Sequence, residues 1–284
     1  MRLFDRGHRE EARFVEFMQM TGMKIQEFDP ATVDHLMYHP ESDSYFKVTG
    51  ELRKEHFGGG LVEELTPDTS NYSSHVLRAQ HEFKVVLDAP KQFRFESVEG
   101  HVGGSLDGEA WNVPFLEEEL GLPSDTTILT EFKTHGVASY EKLVAADSVR
   151  MVKPEHYTQM VLYMEHRRLP AALYAAVNKN TDDLYFEFIS ADPEHAAETM
   201  DKARRIVYAK TPPKRISRSP SHFTCKFCDH RDKCHFGAPL TKNCRSCEFS
   251  APVAEGKWYC GKWNATIPVE VEAVGCDGWK QIND

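Results

Sequence analysis

Apolar positions recur along this chain with two different periods, and the changes between them mark out the elements. Residues 5–21 set Phe14, Val15, Phe17 and Met18 at helical spacing among charged side chains, and Thr21-Gly22 closes that helix. A short strand is predicted over 23–28. In the stretch 29–88, Gly58-Gly59-Gly60 and Pro67-Asp68-Thr69-Ser70-Asn71 mark loops, while 74–87 has an apolar pattern compatible with helix or strand. It reads as an insertion, about 30–90, that shapes a substrate channel. Residues 93–98 and 101–110 predict paired strands with a turn at Glu99-Gly100, and 126–134 a further strand. Helices are expected over 138–150 and 154–168, the second with Pro154 in its first turn, where a missing N–H costs little. Strands at 171–177 and 184–189 flank a turn at 178–182. A helix then runs from Pro193 to about Lys210, and Pro212-Pro213 ends it. This order implies an α/β fold, a mixed central sheet flanked by helices over 1–218, followed by a cysteine-rich module over 219–284.

Composition sharpens that picture. A chain of 284 residues with 40% hydrophobic content can bury one substantial core and a small appended module. No apolar run approaches the roughly 20 residues of a membrane span. The charged opening Met1-Arg2-Leu3-Phe4-Asp5-Arg6 is followed by no signal-type apolar segment, so no membrane association and a cytoplasmic location are expected. The net charge of −10 argues against indiscriminate binding of polyanions. Its distribution qualifies this: Lys202, Arg204, Arg205, Lys210, Lys214, Arg215 and Arg218 fall in a stretch without one acid, a patch able to follow a phosphate backbone or simply a solvated helix face.

Candidate chemistry lies between residues 103 and 134. Asp107 sits in Gly103-Gly104-Ser105-Leu106-Asp107-Gly108, where small residues let a metal and a phosphate approach the backbone. Glu131 and Lys133 sit two apart in the strand Thr127-Ile128-Leu129-Thr130-Glu131-Phe132-Lys133-Thr134, so both share one face with Phe132 opposite. Two carboxylates beside one ammonium suit metal-dependent hydrolysis of a phosphodiester, the acids gripping Mg²⁺ or Mn²⁺ and the lysine orienting a water or the phosphate. Taken singly, each motif has a bland reading: Glu-x-Lys on a solvated edge, Asp107 in a turn, and Gln159 with Tyr163 as helix packing one turn apart.

Together the motifs resemble the PD-(D/E)xK nuclease superfamily, and their order most resembles phage-encoded RecB-like exonucleases. The resemblance rests on Asp107, on Glu131-x-Lys133, on Gln159-x-x-x-Tyr163 in the following helix, and on Phe4-Asp5-Arg6-Gly7-His8-Arg9-Glu10-Glu11 at the start. It covers roughly residues 1–240 and departs from the pattern at Leu106, where proline would stand. It implies a restriction-endonuclease-like fold and a metal held by Asp107, Glu131, the Phe132 carbonyl and His8 or Glu11. It also implies that Gln159 and Tyr163 hold Lys133 or a substrate phosphate. A DNA exonuclease used in recombination or replication follows, in a host cytoplasm if phage-encoded, with a single-strand annealing protein as a further partner and oligomerisation possible. An endonuclease of the same fold, or a catalytically silent zinc-stabilised DNA-binding protein, is the alternative.

All seven cysteines lie between 225 and 276, and Cys-x2-Cys pairs in a chain of this kind read as metal sites before disulfides. One partition joins Cys225, Cys228 and Cys234 to a histidine, with His235 ahead of His222 and His230, and leaves Cys244, Cys247, Cys260 and Cys276 as a second zinc site. The other unites Cys225, Cys228, Cys244 and Cys247 but strands three cysteines, so the first is favoured. The family resemblance adds a [4Fe-4S] cluster on Cys225, Cys228 and Cys234 as an alternative, although no cysteine precedes Cys225 to complete it. Aromatics beside lysines in Trp258-Tyr259-Cys260-Gly261-Lys262-Trp263 either stack on bases or cover a small zinc core.

Overall fold

The computed structural model describes residues 2–32, 34–39, 44–49, 63–64, 78–80, 83–89 and 91–282, with side chains described over 10–29, 31–32 and 91–282. Two compact units emerge, one of Met1–Phe95 with Ser105–Pro193, the other of Glu96–Gly104 with Glu194–Asp284.

The first unit opens with α1 (Arg2–Met20) and β1 (Lys24–Gln26). The stretch read from sequence as an insertion contains β2 (Asp34–His39), β3 (Ser44–Thr49), β4 (Glu63–Glu64), β5 (Arg78–Gln80) and β6 (Phe83–Ala89), paired in the order β4-β3-β2-β6-β5. It is thus a second, all-antiparallel sheet. The loops expected at 58–60 and 67–71, and residues 74–77 of the ambiguous segment, lie outside the described residues.

The expected strand over 101–110 is two strands. β7 (Arg94–Ser97) pairs with β8 (Val102–Ser105), the chain breaks step at Leu106 and Asp107, and β9 (Gly108–Trp111) joins the central sheet. After α2 (Leu116–Leu120) come β10 (Ile128–His135), α3 (Val137–Ala146), α4 (Val149–Val152), α5 (Pro154–Arg167), β11 (Ala171–Asn178) and β12 (Leu184–Ser190). The sheet order is β1-β9-β10-β11-β12, with β10 and β11 parallel and the other neighbours antiparallel. The parallel pair needs a long crossover, and α3 to α5 supply it.

Every residue of β11 is buried, as befits a strand covered on both faces. On one face Phe14, Val15 and Met18 of α1 close over Phe132, Ile128, Leu173 and Ala175. Phe14 and Phe132 stack with ring centres 5.3 Å apart. Each of these Phe, Val, Met, Ile and Leu side chains contributes about 1.5–3 kcal/mol on burial. α5 turns Tyr157, Met160, Val161, Tyr163 and Met164 inward, and its Arg167 Nε donates to Glu109 Oε1 on β9 at 2.7 Å. The observed architecture is therefore a mixed α/β unit with a mixed central sheet flanked by helices. No helix among the described residues is long and apolar enough to cross a membrane.

The second unit holds α6 (Pro193–Val207), α7 (Phe223–Lys226), α8 (Arg231–Phe236), and a three-stranded antiparallel meander of β13 (Ser250–Pro252), β14 (Trp258–Cys260) and β15 (Ala265–Ile267), then α9 (Val269–Glu272). The tip of the β7/β8 hairpin belongs to this unit. There Gly256 N donates to Glu99 O at 2.7 Å and His101 Nε2 lies 2.8 Å from Val253 O. A Cβ on Gly100, whose φ is +88°, would stand 2.5 Å from Gly256 N, so only glycine fits.

Candidate active site

The break between β8 and β9 is what presents Asp107. The β9/β10 ladder ends at Gly108 opposite Thr130, and beyond it the Asp107 side chain takes over: Oδ2 accepts the Phe132 N–H at 2.8 Å. The alternation of β10 puts Phe132 under α1 and turns Glu131, Lys133 and His135 to the other face. Glu131 is 0% exposed. Its Oε1 pairs with the Lys133 ammonium, and its Oε2 has no hydrogen-bond partner among the described residues.

Lys133 Nζ also lies 3.8 Å from Asp107 Oδ2 and donates to the Phe132 carbonyl at 3.2 Å. One ammonium thus meets Asp107, Glu131 and the Phe132 carbonyl, three of the groups that the family resemblance implies would hold a metal. Burial, then the Asp107 charge, pushes the Glu131 carboxyl up to about 7, with Glu11 adding to the shift against the pull of Lys133. Burial also raises Asp107, opposed by Lys133 and the Phe132 N–H. Burial acts to lower Lys133, but the carboxylates of Glu131 and Asp107 outweigh it and leave the ammonium held above its ordinary range.

Glu11 on α1 therefore belongs to the same electrostatic cluster. Glu27, just beyond β1, joins it unforeseen: burial first, then Glu11 and Asp107, raises its pKa. His8 lies on α1 but outside the described side chains. Gln159 and Tyr163 bond to each other, Nε2 to hydroxyl at 3.0 Å, and Tyr163 packs edge-on against Phe95 with ring centres 5.2 Å apart. Tyr163 still senses the site, since after burial the Glu131 and Asp107 charges raise its pKa.

Beside Lys133 opens a polar pocket of about 310 Å³ lined by Glu10, Glu11, Lys133, His135, Lys153 and His156 among others. The histidines went unnoticed in the sequence, although the two-residue period already places His135 with Glu131 and Lys133.

Among the described residues no group of three or more His, Cys, Asp or Glu side chains is arranged to hold a metal ion. The chemistry of the donors nonetheless fits one. Asp107, Glu131 and the Phe132 carbonyl are hard oxygens suited to Mg²⁺ or Mn²⁺, a cationic group already sits against them, and one buried carboxylate oxygen lacks a partner.

In the second unit Cys244, Cys247, Cys260 and Cys276 line one cavity of about 130 Å³. Burial and then the neighbouring thiols at Cys276, Cys247 and Cys260 raise the Cys244 pKa. A short helical turn capped by Asn243 presents Cys244 and Cys247, β14 carries Cys260, and Cys276 follows α9. Cys225 is buried on α7, Cys228 exposed, and Cys234 and His235 lie on α8. His235 Nε2 is buried without a hydrogen-bond partner among the described residues.

No family model, no curated protein and no solved structure matches this chain.

Proposed function

We propose that the chain is a metal-dependent deoxyribonuclease of the PD-(D/E)xK type, acting as an exonuclease. The observation that carries this reading is the buried Glu131 carboxylate paired with Lys133 beside Asp107 at the break between two strands. Charge-bearing groups are costly to bury and are retained where they serve a task, so an acid held near pKa 7 beside two other carboxylates is a functional feature before a structural one.

Asp107, Glu131, the Phe132 carbonyl and Glu11 would hold Mg²⁺ or Mn²⁺. A cation bound there supplies Lewis acidity toward the phosphoryl group and makes water a nucleophile near neutral pH. The protein's own groups do the rest. Asp107 is held in place by the Phe132 N–H, so strand and acid move as one. Lys133, paired with Glu131 beside Asp107, would orient the attacking water and stabilise charge on the phosphate. Tyr163, bonded to Gln159 on α5 and within range of the Glu131 and Asp107 charges, would with Gln159 hold Lys133 or a substrate phosphate. Lys202, Arg204, Arg205, Lys210, Lys214, Arg215 and Arg218 are all exposed and suit contacts to the DNA backbone.

Zinc at Cys244, Cys247, Cys260 and Cys276, and at Cys225, Cys228, Cys234 and His235, would serve structure, stapling a segment with little core of its own. The test is digestion of end-labelled linear DNA with Mg²⁺ or Mn²⁺. Shortening from the ends supports the reading, cutting of closed circles moves it to an endonuclease, and no cleavage of either with DNA still bound leaves a binding protein.

A further inference from the structure

The pocket beside Lys133 has two walls of unlike character. Glu10 and Glu11 on α1 form one; Lys133, Lys153, His135 and His156 form the other. The second wall is unusually well organised. Tyr174 OH stands 2.8 Å from His135 Nε2 and 2.9 Å from His156 Nδ1, and the two imidazoles stack with centres 5.9 Å apart. Ser139 Oγ lies 3.4 Å from His135 Nδ1.

One hydroxyl proton cannot serve both rings, so the chain of bonds has a direction. If His135 Nε2–H donates to the Tyr174 oxygen, Tyr174 donates to His156 Nδ1, and the proton of neutral His156 sits on Nε2, its only remaining ring nitrogen. That Nε2 lies 4.0 Å from Glu155 Oε1, and His156 lines the pocket together with Lys153 and the carboxylate-paired Lys133. Burial, followed by nearby lysines, holds both imidazoles down to about 4, so they remain neutral and the donor persists across physiological pH. Lys153 and His156 also stand at the first turn of α5, where main-chain N–H groups add partial positive charge.

We propose that the basic wall of this pocket, across from the candidate metal ligand Glu11, is an anion subsite taking a phosphate of the bound strand next to the one being cut. Lys153 is its charged donor, and His156 Nε2–H, oriented through Tyr174 and His135, its neutral one. The inference rests on the nuclease reading and adds to it where the strand runs: from the carboxylates, past Lys133, toward the amino end of α5. Its volume of about 310 Å³ leaves room for a phosphate with its sugar.

The test uses the full chain with Ca²⁺ in place of Mg²⁺, and fluorescent oligonucleotides ending in a phosphate or a hydroxyl. Lys153→Met is expected to weaken binding on the order of tenfold and to lower the slope of log affinity against log salt by about one. With Mg²⁺ it raises KM more than it lowers kcat. Lys153→Arg should restore the salt slope, and His156→Phe should weaken binding without changing it. A loss on every oligonucleotide assigns the subsite to an internal diester, a loss confined to phosphorylated ends to a terminal monoester. Wild-type cleavage together with unchanged affinity and slope in Lys153→Met overturns this inference alone. A wild-type chain that neither binds nor cuts overturns both it and the nuclease reading.

Discussion

Asp107 Oδ2 accepts the main-chain N–H of Phe132 at 2.8 Å, one residue beyond Glu131 and one before Lys133. The acid in the break between β8 and β9 is therefore fixed to the backbone that carries the other acid and the lysine. This bond separates two roles of Asp107. Asp107→Asn keeps an acceptor for the N–H but loses the charge, so it is expected to fold normally and to lose cleavage by at least about a hundredfold. Asp107→Ala strands the N–H as well and should cost a further 1–3 kcal/mol or so of stability. Urea unfolding beside a cleavage assay checks the pair; equal stability of the two variants would contradict the capping role.

Glu131 makes the metal-free protein pH-sensitive. Its folded pKa of about 7 lies above the ordinary 4.5, so its contribution to stability is complete below pH 4.5 and is lost as pH rises through about 7. A shift of that size corresponds to at most about 3 kcal/mol. The imidazoles of His135 and His156 act oppositely, losing stability as pH falls from 6.5 toward about 4. The difference between wild type and Glu131→Gln isolates the carboxyl. Denaturant melts should show the variant gaining on wild type between pH 5 and about 7, and added Mg²⁺ should narrow the gap. A constant difference across that range would refute the burial of a charge at this position.

Tyr174 joins two imidazoles through one hydroxyl. Tyr174→Phe leaves both ring nitrogens without that partner and is expected to cost about 1–3 kcal/mol. Thermal melting tests this; a neutral substitution would mean that the hydrogen-bonded chain carries no energy.

The cysteines make an analytical prediction. Elemental analysis of the purified chain should find two zinc ions per chain, with Cys244→Ser or Cys260→Ser losing one and melting earlier. Iron in place of zinc, absent from a Cys225→Ser variant, would assign the first group to an iron-sulfur cluster.

Much of the site was legible because its chemistry is local. Glu131 and Lys133 share a strand face by arithmetic alone, and α5 and its proline were clear from period and cap. What escaped depended on pairing between distant segments. Glu27 approaches Asp107 because β1 lies against β9, which nothing in residues 23–28 announces. His156 reaches Tyr174 and His135 only once α5 crosses β10 and β11. The break at Leu106-Asp107 lay inside the expected strand 101–110, where Gly103, Gly104, Ser105 and Gly108 read as room for a metal and a phosphate and not as the end of a ladder. Residues 34–89 were read only as an insertion, because strands as short as Glu63–Glu64 and Arg78–Gln80 carry too few periods to declare a sheet.

The most direct measurement of the central claim is cleavage of end-labelled linear duplex and closed circular DNA with Mg²⁺ or Mn²⁺, by wild type and by Lys133→Ala. Wild type is expected to shorten the linear DNA from its ends and spare the circles, while Lys133→Ala folds and binds DNA but does not cut. Cleavage by Lys133→Ala at the wild-type rate, or none by wild type with either metal, would contradict it.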